Sequence, residues 1–113
     1  MAIIMLLFID FAKKADKILK EELKKFYVKY DIAEARMVTN VRSVGVQGDK
    51  RTYGYPALIE IIYDKSFVWD QEEFVRVLSS RITNEVKENY EGEEVVVNRV
   101  LYFLKERWAS LAC

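Results

Sequence analysis

The stretch ARMVTNVRSVGVQGDKRTYGYPALIEIIY, residues 35–63, decides the fold. Met37, Val38, Val41, Val44 and Val46 are mostly β-prone residues, so Ala35 to Gln47 reads as a strand, although its alternation is imperfect. Gly48-Asp49-Lys50-Arg51 then supplies turn chemistry. A second strand follows from about Thr52 to Tyr63, ending in the apolar run Ala57-Leu58-Ile59-Glu60-Ile61-Ile62-Tyr63. The expectation is a hairpin with a polar, partly basic tip.

On the N-terminal side, Phe8, Phe11, Ala12, Ala15, Ile18, Leu19, Leu23 and Phe26 recur at spacings of three and four. This predicts a helix from about Phe8 to Tyr30 whose opposite face carries Lys13, Lys14, Lys17, Lys20, Glu21, Lys24 and Lys25. Residues 2–7 extend this helix or form a short strand, because so short an apolar run has no decisive period. On the C-terminal side Asp70 is a good N-cap, with Glu72 and Glu73 in the favourable first turn. Its helix runs to about Glu88 and buries Phe74, Val75, Leu78, Ile82 and Val86. Residues Asn89 to Glu93 read as a loop, Glu94 to Leu104 as a third strand, and Lys105 to Leu111 as a short final helix. The order α-β-β-α-β predicts an α+β fold in two layers, an antiparallel sheet with both helices packed on one face.

Composition bounds the function. A chain of 113 residues, 51% hydrophobic and 13% aromatic, is the size of one domain, taken as 1–113, with ample material for one core. Lys plus Arg equals Asp plus Glu, 18 against 18, which argues against a general nucleic-acid binder. The absence of histidine removes the usual near-neutral acid–base catalyst and the commonest metal ligand. Cys113 is the only cysteine, so neither an internal disulfide nor a cysteine metal cluster forms, which fits a reducing cytoplasm. We therefore expect no metal and no cofactor. The apolar opening Ala2 to Ile9 has no preceding basic residue, stops at Asp10, and is far shorter than the ~20 residues that span a bilayer. It reads as buried structure rather than a targeting or membrane segment. Abundant Lys, Glu, Ile, Val and Tyr, with only Gln47 and Gln71 as glutamines, match the composition of proteins from hot environments.

Residues 41–55, VRSVGVQGDKRTYGY, are similar to the signature V-[RK]-[ST]-V-G-V-x-G-D-x-R-[ST]-Y-x-Y in the C-terminal dimerisation domain of GMP synthetase. ADKILKEEL (residues 15–23) resembles the helix before that signature. SRITNEV (residues 80–86) resembles the helix after it, and VNRVLY (residues 97–102) the strand that follows. The matches keep the family's order over residues 11–102. The resemblance implies a small α-β-β-α-β structure that pairs protomers and helps hold XMP. It places Gln47, Gly48, Asp49 and Arg51 in the nucleotide-contacting loop, with Arg42 beside them.

The chemistry suits that role, since a glycine-flanked turn exposes backbone N–H groups and an arginine fork binds phosphate through two bonds. Gln47 offers a donor and an acceptor for a ribose or base edge. The competing reading is an ordinary hairpin tip whose Lys50 and Arg51 are solvated charges that discourage strand pairing. Arg42 and Arg81 either face one pocket or make surface ion pairs. Arg99 reads as an interface residue, Tyr53 and Tyr55 as packing or dimer contacts, and Trp69 and Trp108 as core or interface side chains. No carboxylate pair reads as catalytic.

The sequence also departs from the family. Phe103 to Trp108 stand where the closing K-P-P-[AG]-T-[IT]-E-W-E motif is expected. Eukaryotic-type members carry two copies of this domain, and the chain resembles the first, which lacks that motif. The pyrophosphate loop S-G-G-V-D-S and the glutaminase cysteine and histidine are missing as well. The resemblance thus implies a non-catalytic homodimerising domain, stand-alone or partnered with an ATP-pyrophosphatase subunit. Two alternatives stay open. A KH-like nucleic-acid module has the same element order but needs a G-x-x-G loop between helices, which Gly45, Gly48, Gly54 and Gly92 do not provide. An engineered derivative of the dimerisation domain, with altered ends and no ligand, is the other.

Overall fold

The computed structural model describes residues 2–47, 50–65 and 68–107. Helix α1 spans Ala2–Lys25, so the apolar opening extends the helix rather than forming a strand. It buries Phe8, Phe11, Ala15, Ile18, Leu19 and Leu23, the stripe its spacing predicts. The helix stops five residues earlier than expected because Tyr27 takes a left-handed conformation (φ 55°). Val28 N–H then reaches back to the Leu23 carbonyl at 2.9 Å and Tyr27 N–H to Lys24 at 3.2 Å, a Schellman-type end.

Strands β1 (Tyr30–Met37), β2 (Ser43–Gln47) and β3 (Lys50–Asp64) follow. The single strand expected over Ala35–Gln47 is therefore two strands, which pair with different parts of β3. Tyr30 to Met37 lie antiparallel to Tyr63 through Ala57, and Ser43 to Gln47 antiparallel to Gly54 through Lys50. Helix α2 (Gln71–Glu85) starts at the expected cap, where Asp70 Oδ1 accepts from Glu73 N–H at 3.0 Å. It buries Phe74, Leu78 and Ile82.

Helix α2 ends at Glu85, short of the expected Glu88, and strand β4 (Lys87–Tyr90) takes the end of that expected helix and the start of the expected loop; a two-residue turn joins it to β5 (Glu93–Arg107). Glu91 and Gly92 have φ of 51° and 79°, the left-handed pair that suits such a turn. Lys105 to Arg107 continue β5 rather than beginning a helix, and residues 108–111 of that expected helix, with Trp108, lie outside the described residues.

The fold is α+β, with one five-stranded sheet in the order β1-β3-β5-β4 and β2 alongside β3. The sheet is mixed, not antiparallel: β3 and β5 run parallel from Thr52↔Glu94 to Asp64↔Arg107. The reason is α2, the crossover that returns the chain so that β5 runs in the same direction as β3. Between Tyr55↔Val97 and Pro56↔Arg99 the register shifts by one, leaving Asn98 as an extra residue of β5. This bulge inverts the alternation. Val95 and Val97 face the core before it, and Val100, Tyr102 and Leu104 pack against the core after it. Pro56 has no N–H to give a ladder and sits in the strand interior at this irregularity.

Both helices contribute to one core with the sheet, centred on Phe11, Leu19, Ile59, Ile61, Phe74, Leu78 and Ile82. Among the described residues no helix is long and apolar enough to cross a membrane.

Candidate functional site

The hairpin of β2 and β3 keeps its ladder to the last rung, Gln47↔Lys50. Two of the expected site residues, Gly48 and Asp49, lie outside the described residues. The remaining two arginines converge on one side chain. Arg42 places its guanidinium carbon 5.2 Å from the centre of the Tyr53 ring, within cation–π range. Arg51, two residues before Tyr53 on the same strand, shares its face. Hydrogen bonding to Tyr53, then the fields of Tyr53 and Glu93, hold the Arg51 guanidinium above its already high value. The Tyr53 hydroxyl donates to Glu93 Oε1 at 3.4 Å. Both arginines are exposed, and Tyr53 is half-buried.

A cleft of about 230 Å³ opens here, walled by Leu7 and Phe8 of α1, Arg42, Tyr53, Tyr55, Tyr90, Glu91, Glu93 and Val95. Phe8 meets Tyr55 edge to face at 4.7 Å. The cleft is thus lined by four aromatic rings, two carboxylates and Arg42. Its aromatic lining suits a ring, and the exposed Arg42 guanidinium suits an anion.

Arg81 does not join this cleft. It lies on α2 and binds α1: its Nη1 is 2.8 Å from Glu22 and 3.0 Å from Glu21, and its Nε is 2.8 Å from Glu85. Glu22 is buried among the core residues, and the carboxylate oxygen that Arg81 reaches is also met by Lys25 at 3.1 Å. The hydrogen bonds that Arg81 donates to Glu85 and Glu22 push it upward, while Arg81 holds the Glu85 carboxyl below its ordinary range. A helical arginine offers no sign in sequence of which helix it will reach.

The other motif residues are also structural. Lys20 donates to the Ala33 carbonyl at 2.8 Å and pairs with Asp16, whose Oδ1 accepts from Ala35 N–H at 3.3 Å. These two side chains cover the outer edge of β1. Asn98 crosses Gly54 to donate to Ser43 Oγ at 2.7 Å. A Cβ at Gly54 would stand 2.7 Å from that of Asn98, so only glycine lets the amide pass. Tyr55 is buried and Trp69 packs edge to face against Tyr63 and Phe74, so both are core side chains. Arg99 is exposed on the sheet face turned away from the helices. Among the described residues no three Asp, Glu or Cys side chains gather as a metal site would require.

Comparison with known proteins places these features. The family profile described as GMP synthase C terminal domain matches residues 21–109. The chain belongs to the GMP synthase C-terminal domain family. It is 37% identical over 100 residues to the GMP synthase [glutamine-hydrolyzing] of Mycobacterium leprae, covering 82% of this chain and 17% of that protein. The Heliobacterium modesticaldum enzyme of the same name is 39% identical over 101 residues, 83% of this chain and 18% of that protein. That of Borrelia garinii subsp. bavariensis is 37% identical over 105 residues, 88% of this chain and 18% of the relative. The chain therefore spans less than a fifth of each of these relatives. Within this GMP synthase domain, the signature falls on the β2–β3 hairpin, while the flanking helix motifs fall on the ion pairs that join α1 to α2 and the hydrogen bonds that join α1 to β1.

Proposed function

We propose that this chain is a single, non-catalytic homodimerising domain of GMP synthase type, which acts in the cytoplasm beside an ATP-pyrophosphatase unit. The observation that carries this reading is the uncovered face of the sheet. β3 and β5 form a long parallel pair, and parallel strands are ordinarily covered on both faces. Here the helices cover one face, while Ile32, Leu101 and Phe103 lie 49%, 38% and 50% exposed on the other. A second copy laid on that face buries them. Sedimentation or light scattering at micromolar concentration tests it: a species near twice 13.3 kDa is expected, reduced to the single mass by Phe103→Glu. A single mass for the unaltered chain removes the reading.

The hairpin supports a second part of the proposal, that residues 47–51 with Arg42 contact XMP or a related purine nucleotide. Arg42 and Arg51 are exposed cations flanking one aromatic ring, at the position the family signature assigns to its nucleotide loop. Charged hydrogen bonds contribute roughly 1.5–3 kcal/mol each, so Arg51→Ala should weaken XMP binding by about tenfold or more. Xanthosine should bind worse than XMP, and the dimer should persist. Calorimetric titration decides it, since equal affinity in both proteins means a hairpin tip with no phosphate contact.

A further inference from the structure

Pairing through the outer face leaves its geometry to be settled, and the charges on that face narrow it. Three rungs run across β1, β3 and β5: Ile32–Ile62–Lys105, Glu34–Glu60–Phe103 and Arg36–Leu58–Leu101. Glu34 and Glu60 stand directly opposite each other, an arrangement that like charges oppose. At the end of the sheet Asp31 and Asp64 are met by Arg107 at 3.0 and 3.6 Å. Among the described residues no cation comes within ion-pair distance of Glu34 or Glu60, and no carboxylate comes within it of Arg36. The middle of the face therefore carries both signs of charge without a partner inside the chain.

Resting on the homodimer reading, we propose that two copies pack about a two-fold axis that crosses the strands between the Glu34 and Arg36 rungs. Two other placements fail on the same residues. An axis along β3 returns each rung to itself and sets Glu60 against Glu60. An axis between the Ile32 and Glu34 rungs sets Glu34 against Ile32 and Phe103 against Lys105. The axis between the Glu34 and Arg36 rungs sets Glu34 of each copy against Arg36 of the other, twice. It also sets Phe103 against Leu101. Glu34 and Glu60 lie about one strand spacing apart, ~4.8 Å, so one guanidinium with five donors spans both carboxylates. Lys105 approaches Arg99 of the other copy only at the rim, where salt screens them.

A charge-swap mixing experiment tests this register. Glu34→Arg places two arginines face to face in its homodimer, and Arg36→Glu places two carboxylates there. Each homodimer should dissociate at least about tenfold more readily than the unaltered one. Mixed together, the two variants meet Arg to Glu at both positions, and the heterodimer should recover to within roughly threefold of the original affinity. Both positions are exposed, and circular dichroism checks that each variant is folded. If the unaltered dimer yields to Phe103→Glu but neither swap weakens it, or mixing restores nothing, the axis is wrong and the dimer stands. A monomeric unaltered chain instead removes the dimer reading itself.

Discussion

Replacing Arg81 with methionine should damage this fold more than any other single surface change. The guanidinium holds Glu22, whose side chain is only 2% exposed, at 2.8 Å and ties it to Glu21 and Glu85. Methionine keeps much of the aliphatic stem but leaves Glu22 with Lys25 alone, and that lysine is 65% exposed. Removing one partner of a buried pair costs roughly 3–5 kcal/mol when the remaining charge is left without compensation. Lys25 still offers part of that compensation, so about 2–4 kcal/mol is expected. For a domain of this size that is a fall in melting temperature on the order of 10–20 °C. Glu85, held low by Arg81, gives the pH dependence. A carboxyl whose folded value is depressed contributes stability above its unfolded value, about 4.3, and loses it as pH falls through the folded value. The gap between the original protein and Arg81→Met should therefore narrow below about pH 4. Thermal and urea unfolding at fixed concentration measure both effects, and Glu22→Leu with Arg81→Met should recover a large part of the loss. A difference below about 0.5 kcal/mol at pH 7 would place Arg81 among ordinary surface residues and refute the argument.

Two further changes probe the sheet. Gly54→Ala should displace Asn98, break its 2.7 Å bond to Ser43 and cost about 1–3 kcal/mol in urea unfolding, with Asn98→Gly in the same chain relieving the clash. Burial pushes the Tyr102 phenol up to about 12, with the Ser79 bond opposing, so its stabilising effect is present below the unfolded value near 10 and fades from about 10 to 12. Tyr102→Phe, which loses the 2.7 Å bond to Ser79 and the 3.2 Å bond to the Val75 carbonyl, should flatten that alkaline decline in a pH series of melts.

Much of the fold was legible in the sequence because much of it is periodic or locally capped. The α1 stripe, the Asp70 cap and the β2–β3 hairpin all announce themselves within a few residues. What failed is non-local. Between Met37 and Ser43 only Asn40 hints at a break, since Val38 and Val41 suit a strand and no glycine or proline interrupts them. Lys87 to Tyr90 is polar and four residues long, so β4 has no pattern apart from its partner. The parallel direction of β5 depends on where α2 delivers the chain, and the bulge at Asn98 makes VVVNRVLYFL look like a poor alternation when it is two good ones. Of the candidate site, the signature pointed to Arg42 and Arg51. Glu93 was missed, because it reaches Tyr53 only once β3 and β5 are paired at Tyr53↔Val95.

The residues that carry the family resemblance divide by location. Asp16, Glu22, Ser43, Arg81 and Asn98 are occupied with holding helices and strands in place. They explain why the fold can be recognised in so short a chain, and they have no side chain to spare for a ligand. Arg42 and Arg51 differ: both are exposed, and their contacts are with an aromatic ring and a neighbouring carboxylate rather than with the core. The outer sheet face differs in the same way, with Glu34, Glu60 and Arg36 outside every ion pair among the described residues. Scaffold and proposed function therefore occupy separate surfaces. A change at the hairpin should alter ligand affinity without altering assembly, and a change on the outer face should do the reverse. Loss of both properties from either change alone would mean that the two surfaces are coupled through β3, the strand they share.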